Sequence, residues 1–157
     1  MAAHPRAPFV LAGTAEGEVQ LWNGTTGEQA CSLLGHRDGV NQVEFTPDGR
    51  FVLSCGDDAT LRRWQVSTAQ CLTQVTGPRF HRAEVLSFAC HEQRAVAVST
   101  SADGSFAVCN YEKGDVYHCS APRDTEALCC ALSSQLEAFA VGDAAGGLLM
   151  VDLQKQV

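Results

Sequence analysis

The chain has 157 residues, of which 45% are hydrophobic and 18% charged, and its formal net charge is -7. That composition suits one folded domain with a real core and excludes intrinsic disorder. The acidic balance argues against broad binding to phosphate backbones, and no apolar run approaches the roughly 18 to 20 residues of a membrane span.

Taken in chain order, the predicted elements are short strands. Apolar stretches at 9–12, 19–22, 43–45, 51–53 and 95–98 are separated by clusters of Gly, Asp, Asn and Thr. Helical periodicity is nearly absent, which reads as antiparallel all-β. Several stretches are apolar at consecutive positions, so both faces of those strands should be covered. Asn23-Gly24 reads as a turn between strands. Residues 9–34 predict three strands, 40–75 and 85–120 four each, and 127–153 three, a total of fourteen.

Internal repetition decides the architecture. Trp22, Trp64, Cys109 and Val151 follow one another at steps of 42, 45 and 42 residues, as do Ala12, Ser54, Ser99 and Val141, and Glu16, Asp58, Asp103 and Ala145. A unit of four short strands repeated every 40 to 45 residues is a propeller blade. The units predicted are 9–34 (three strands, lacking the innermost), 35–76, 77–121 and 122–157 (three strands, lacking the outermost), about three and a half blades in a single partial propeller. An incomplete ring leaves apolar blade faces open. It implies a fragment of a longer protein, a short isoform or a partial gene model, with the missing blades elsewhere, or closure by self-association, two halves of three and a half blades summing to seven; the alternative is a distorted four-bladed ring.

The stretch from Gly35-His36 through the Pro47-Asp48-Gly49 turn to Asp58-Ala59-Thr60-Leu61-Arg62-Arg63-Trp64 closely resembles a WD40 repeat. The flanking units are degenerate copies at the same spacing. The resemblance implies a hydrogen-bonded set of His36, Ser54, Asp58 and Trp64. Physically, the carboxylate can accept from the imidazole, the imidazole can bond the hydroxyl, and the hydroxyl can meet the indole N–H. The third unit keeps His81, Ser99 and Asp103 at the same separations, with Cys109 in place of the Trp; the fourth, with Arg123, Val141 and Ala145, has no such set.

Ser54, His36 and Asp58 include the residue types of a hydrolase triad. Their recurrence 45 residues later favours a structural over a catalytic role, so the chain is expected not to be an enzyme. The eight cysteines form no C-x-x-C pair, lie mostly in apolar runs, and read as buried, reduced thiols. No metal-ligand spacing and no phosphate loop is present, so no cofactor and no metal is expected. The segment 1–6 has no apolar core of a secretory signal, which predicts a cytoplasmic or nuclear rather than a secreted protein.

The resemblance also implies a protein-interaction scaffold or adaptor that binds other proteins through its turns. By analogy with the family, two turn sets share one rim, and its candidate binding residues are Arg37, Asp57, Arg79, Phe80 and Arg82, with Phe80 as an exposed aromatic. The alternative for Phe80 is a ring tucked over a blade edge. The runner-up function is an RNA-associated scaffold of a ribonucleoprotein. It would use Arg62-Arg63 as a basic patch, against which stand the neighbouring Asp57 and Asp58 and the absence of interleaved aromatics.

Overall fold

Residues 1–156 are described by a computed structural model, which places fifteen strands in four antiparallel sheets. Sheet 1 is β1 (Ala2–Ala3), β2 (Phe9–Gly13), β3 (Glu18–Asn23) and β4 (Gln29–Leu34). Sheet 2 is β5 (Val40–Phe45), β6 (Phe51–Gly56), β7 (Leu61–Gln65) and β8 (Gln70–Val75). Sheet 3 is β9 (Val85–Cys90), β10 (Val96–Ser101), β11 (Phe106–Asn110) and β12 (Asp115–Cys119). Sheet 4 is β13 (Ala127–Ser133), β14 (Ala138–Asp143) and β15 (Leu148–Asp152), followed by a single 3-10 turn at Leu153–Lys155. Each sheet is a meander in chain order. No helix among the described residues is long and apolar enough to cross a membrane.

The strands form where β-branched and aromatic residues recur, and the turns form where the backbone needs special geometry. At each turn between the second and third strands, one residue takes positive φ: Gly17, Ala59, Gly104 and Gly146, at 85°, 57°, 76° and 84°. In each of these turns that residue's N–H donates to the carbonyl three positions back. Sheet 2 alone fills the position with a residue that carries a Cβ.

Three apolar cores lie between consecutive sheets. Leu11, Val19, Leu21 and Leu33 of sheet 1 meet Val43, Phe45, Val52 and Trp64 of sheet 2. Leu53, Leu61 and Val75 of sheet 2 meet Val85, Phe88, Ala97 and Cys109 of sheet 3. Val98, Phe106 and Val108 of sheet 3 meet Ala127, Phe139 and Val141 of sheet 4. β6 and β10 are buried on both faces over nearly their whole length, as strands within a stack of sheets must be. No core cluster among the described residues joins sheet 4 back to sheet 1, so the fold is an incomplete propeller.

One expectation needs correction. Sheet 1 has four strands rather than three, because Ala2–Ala3 pairs with Val10 and Leu11. The strand total is therefore fifteen, and the first unit begins before residue 9. Two alanines carry no alternation signal, so this strand is invisible to a periodicity reading. The segment is anchored by tertiary contacts instead: His4 Nε2 lies 3.1 Å from the Gly49 carbonyl, and its ring meets Phe45 edge-on at 4.8 Å.

Candidate protein-interaction site

The polar residues of sheet 2 form one continuous chain of hydrogen bonds. The Trp64 indole N–H donates to Ser54 Oγ at 2.7 Å, Ser54 Oγ lies 2.7 Å from His36 Nε2, and His36 Nδ1 lies 3.0 Å from Asp58 Oδ1. Since the indole can only donate and the carboxylate only accept, a neutral imidazole satisfies every partner: Ser54 O–H donates to Nε2 and Nδ1–H donates to Asp58. Burial lowers the His36 pKa, partly offset by Asp58. Burial alone would raise the Asp58 carboxyl, but hydrogen bonds from Thr60, His36 and the Arg37 amide hold it below its ordinary range. Ser54 is 0% exposed and its oxygen is engaged on both sides, so its hydroxyl is not available to a substrate.

Sheet 3 repeats the arrangement with one member inserted. His81 Nε2 lies 2.8 Å from Ser99 Oγ, but Nδ1 lies 2.7 Å from Ser105 Oγ, and it is Ser105 that donates to Asp103. Asp103 thus reaches the imidazole through a hydroxyl. Burial lowers the His81 pKa to about 4, with Asp103 acting weakly the other way. Cys109 stands where sheet 2 has Trp64 and donates to the Ala97 carbonyl instead. Sequence reasoning passed over Thr60 and Ser105, which bond the aspartate two positions before them in each sheet. Their signal was readable: a hydroxyl residue at the same place in units two and three, inside the motif already singled out.

Above these networks lies the rim. Arg37 N–H donates to Asp58 Oδ2 and Arg82 N–H donates to Asp103 Oδ2, so equivalent turns of two sheets are clamped in the same way. Asn41 bridges the rim between sheets, donating to Asp57 Oδ1 at 2.7 Å and to the Val85 carbonyl at 3.1 Å. The side chains of Arg37, Asp57, Arg79 and Arg82 are all exposed. Among the described residues, neither Arg79 nor Arg82 forms an ion pair with a carboxylate. A groove of about 580 Å³ runs beside these two arginines, with Pro78, Tyr117, His118 and Pro122 among its walls. Tyr117 and His118 were not anticipated from the sequence.

Phe80 departs from the exposed aromatic expected at this rim. It is 2% exposed and belongs to the core between sheets 2 and 3, its ring centroid 4.4 Å from that of His81 and tilted 55° to it. An aromatic in a turn next to a sheet junction buries its ring wherever the junction leaves room, because the hydrophobic gain exceeds that of a solvated position.

The basic patch also dissolves on inspection. Arg62 is buried and pairs with Asp58 at 3.4 Å, while its Nε–H donates to Thr60. Arg63 pairs with Glu112 at 3.2 Å and stacks over the Phe51 ring at 3.7 Å. Neither guanidinium is free for phosphate. The cysteines divide in a way the sequence did not foretell: Cys55 and Cys109 are buried, but Cys71 and Cys129 are exposed. Burial pushes the Cys109 and Cys130 thiols up to about 12 and Cys90 well above its ordinary value, which removes their nucleophilicity at neutral pH. Among the described residues, no group of three or more His, Cys, Asp or Glu side chains is placed to hold a metal ion.

Comparison with known proteins agrees with this geometry. The family described as WD domain, G-beta repeat matches residues 27–65. Striatin-4 of Homo sapiens is 28% identical over 102 residues, covering 64% of this chain and 14% of the relative. Striatin-3 of Rattus norvegicus is 24% identical over the same length, covering 13% of that relative. Nuclear distribution protein PAC1 of Arthroderma benhamiae is 38% identical over 68 residues, covering 43% of this chain and 15% of the relative. The matches thus span less than one sixth of these relatives' lengths. With four meander sheets and a repeated His–Ser–Asp network, the fold is an incomplete β-propeller, and residues 27–65 match a WD40 repeat.

Proposed function

We propose that the chain is a non-enzymatic protein-interaction scaffold, and that partners dock on the rim of sheets 2 and 3. The presence of a WD40 repeat supports an interaction scaffold in general. The observation that carries the finer reading is the division of labour among polar residues. His36, Ser54, Asp58, His81 and Ser99 are consumed by internal hydrogen bonds, whereas Arg79 and Arg82 stand exposed and unpaired beside a groove. Arginines and a tyrosine at a groove are the residue types that concentrate interface energy. Arg37 and Asp57 extend this surface along sheet 2, and Phe80 supports it from below. The chain works as a single partial propeller, its four sheets serving as successive blades, in the cytoplasm.

The test is comparative capture from cell extract with quantitative mass spectrometry. The Arg79→Ala, Arg82→Ala double variant should lose partners that the parent chain and a Lys113→Ala control retain. Its unfolding free energy should stay within about 0.5 kcal/mol of the parent, as for other surface changes. Retention of the full partner set by the double variant would overturn the rim assignment.

A further inference from the structure

Each pair of neighbouring sheets is joined through the same positions. On the face turned toward the next sheet, Leu11, Leu53 and Val98 are equivalent, and so are Val19, Leu61 and Phe106; all six are buried. Their counterparts in sheet 4 are Ala140 and Leu148, and Leu148 is 74% exposed. Strand register places Leu148 opposite Gly142, and Met150, 62% exposed, opposite Ala140. Cys129 and Ala131 continue the same two rows on β13. One charge lies on this face, Asp152 opposite Ala138 at the end of β15, where it pairs with Lys155.

The opposite end of the molecule shows the complementary feature. On the face turned toward the preceding sheet, the cross-strand pairs Val52–Trp64 and Ala97–Cys109 are buried, whereas the equivalent pair on sheet 1, Val10–Trp22, is only half-buried. The Trp22 indole N–H is turned to Gln20 at 3.2 Å, within its own sheet. Among the described residues, no sheet packs on the outer face of sheet 4 and none on the outer face of sheet 1.

We infer that a second copy of this chain covers both faces: sheet 4 of one copy packs on sheet 1 of the other, and the reciprocal contact closes the pair. Three arguments select this occupant. The contact continues an interface the chain already makes three times between its own sheets. Side-chain size is complementary, the face with Ala131, Ala140 and Gly142 meeting the one that presents Trp22. Two copies of four sheets each make eight, within the usual four to eight blades of a closed propeller. A contact between two different faces closes into a ring only when its rotation permits and otherwise grows into open assemblies, so the mass of the assembly distinguishes the two.

Sedimentation equilibrium of the full 157-residue chain over a wide dilution series tests the inference. The expected mass is twice 16.7 kDa. Leu148→Lys with Met150→Lys, and separately Trp22→Lys, should each give monomers whose circular dichroism matches the parent. Mixing the two variants should restore a hetero-pair, because one intact contact survives between them. A monomer at every concentration overturns the inference. So does a dimer untouched by either variant, a mixture that stays monomeric, or a mass that grows beyond two copies.

Discussion

The Ser54 hydroxyl accepts a hydrogen bond from the Trp64 indole and donates one to the His36 imidazole, and its position between two buried rings sets what each neighbour is worth. Asp58→Ala removes the last acceptor of that chain and strands His36, Thr60 and Arg62. The expected loss is about 1 to 3 kcal/mol, read as a lower urea midpoint with unchanged slope. Asp103→Ala should cost less, since Ser105 still faces His81 Nδ1 at 2.7 Å. Equal losses at the two aspartates would contradict the inserted-hydroxyl geometry. Phe80→Ala, at a position 2% exposed, should cost roughly 3 to 5 kcal/mol by leaving a cavity between sheets 2 and 3. A loss near zero would return Phe80 to the surface.

The strand turns carry a separate consequence. Ala59 has φ 57° where the other three sheets have glycine, and Ala69 has φ 56° where the equivalent positions are Gly27 and Gly114. A Cβ in the left-handed region costs roughly 1 to 2 kcal/mol, against which glycine adds roughly 0.5 to 1 kcal/mol of unfolded-state entropy. Ala59→Gly should therefore stabilise the chain by about 0.5 to 1 kcal/mol, a rare gain, and thermal unfolding would record it as a raised midpoint. The sheets should also differ in local stability. β7 has strand partners on both sides and covered faces, whereas β15 has one partner and Leu148 and Met150 in water. Hydrogen exchange should be faster along β15 than along β7 in monomeric chain. Matching protection would mean that sheet 4 is held by something other than its contact with sheet 3.

At the scale of the whole molecule, acid should weaken the fold in two stages. His36 and His81 are held below their ordinary 6.5, His81 at about 4, so the unfolded chain binds protons that the native one refuses. Stability is then lost as pH falls from about 6.5 toward 4, with His81 alone contributing on the order of 3 kcal/mol. Asp58 and Asp103, held below 3.8, add their loss only under more acid conditions. Glu44, whose carboxyl burial raises, titrates with the opposite sign, so Glu44→Gln should steepen the first stage. Thermal midpoints measured across this range check the order; a flat profile down to pH 4 would show that the imidazoles are not held neutral by the fold.

The amino-acid sequence by itself determined the repeat, the all-β class and the His, Ser and Asp members of the two networks, but not the hydroxyls of Thr60 and Ser105 that complete them. A 42- to 45-residue period and a fixed His–Ser–Asp spacing are properties of the chain, readable without neighbours. Other features required the stack of sheets. Ala2–Ala3 is a strand only because β2 offers it an edge, Phe80 is core only because sheets 2 and 3 meet over it, and Arg62 is withdrawn from the surface only because Asp58 lies within reach. Burial and pairing are set by what lies across the gap between sheets, and that distance is not written in local periodicity. For the same reason the sequence could count blades but not say which faces remain open; the tertiary structure assigned those to Trp22 at one end and Leu148 and Met150 at the other.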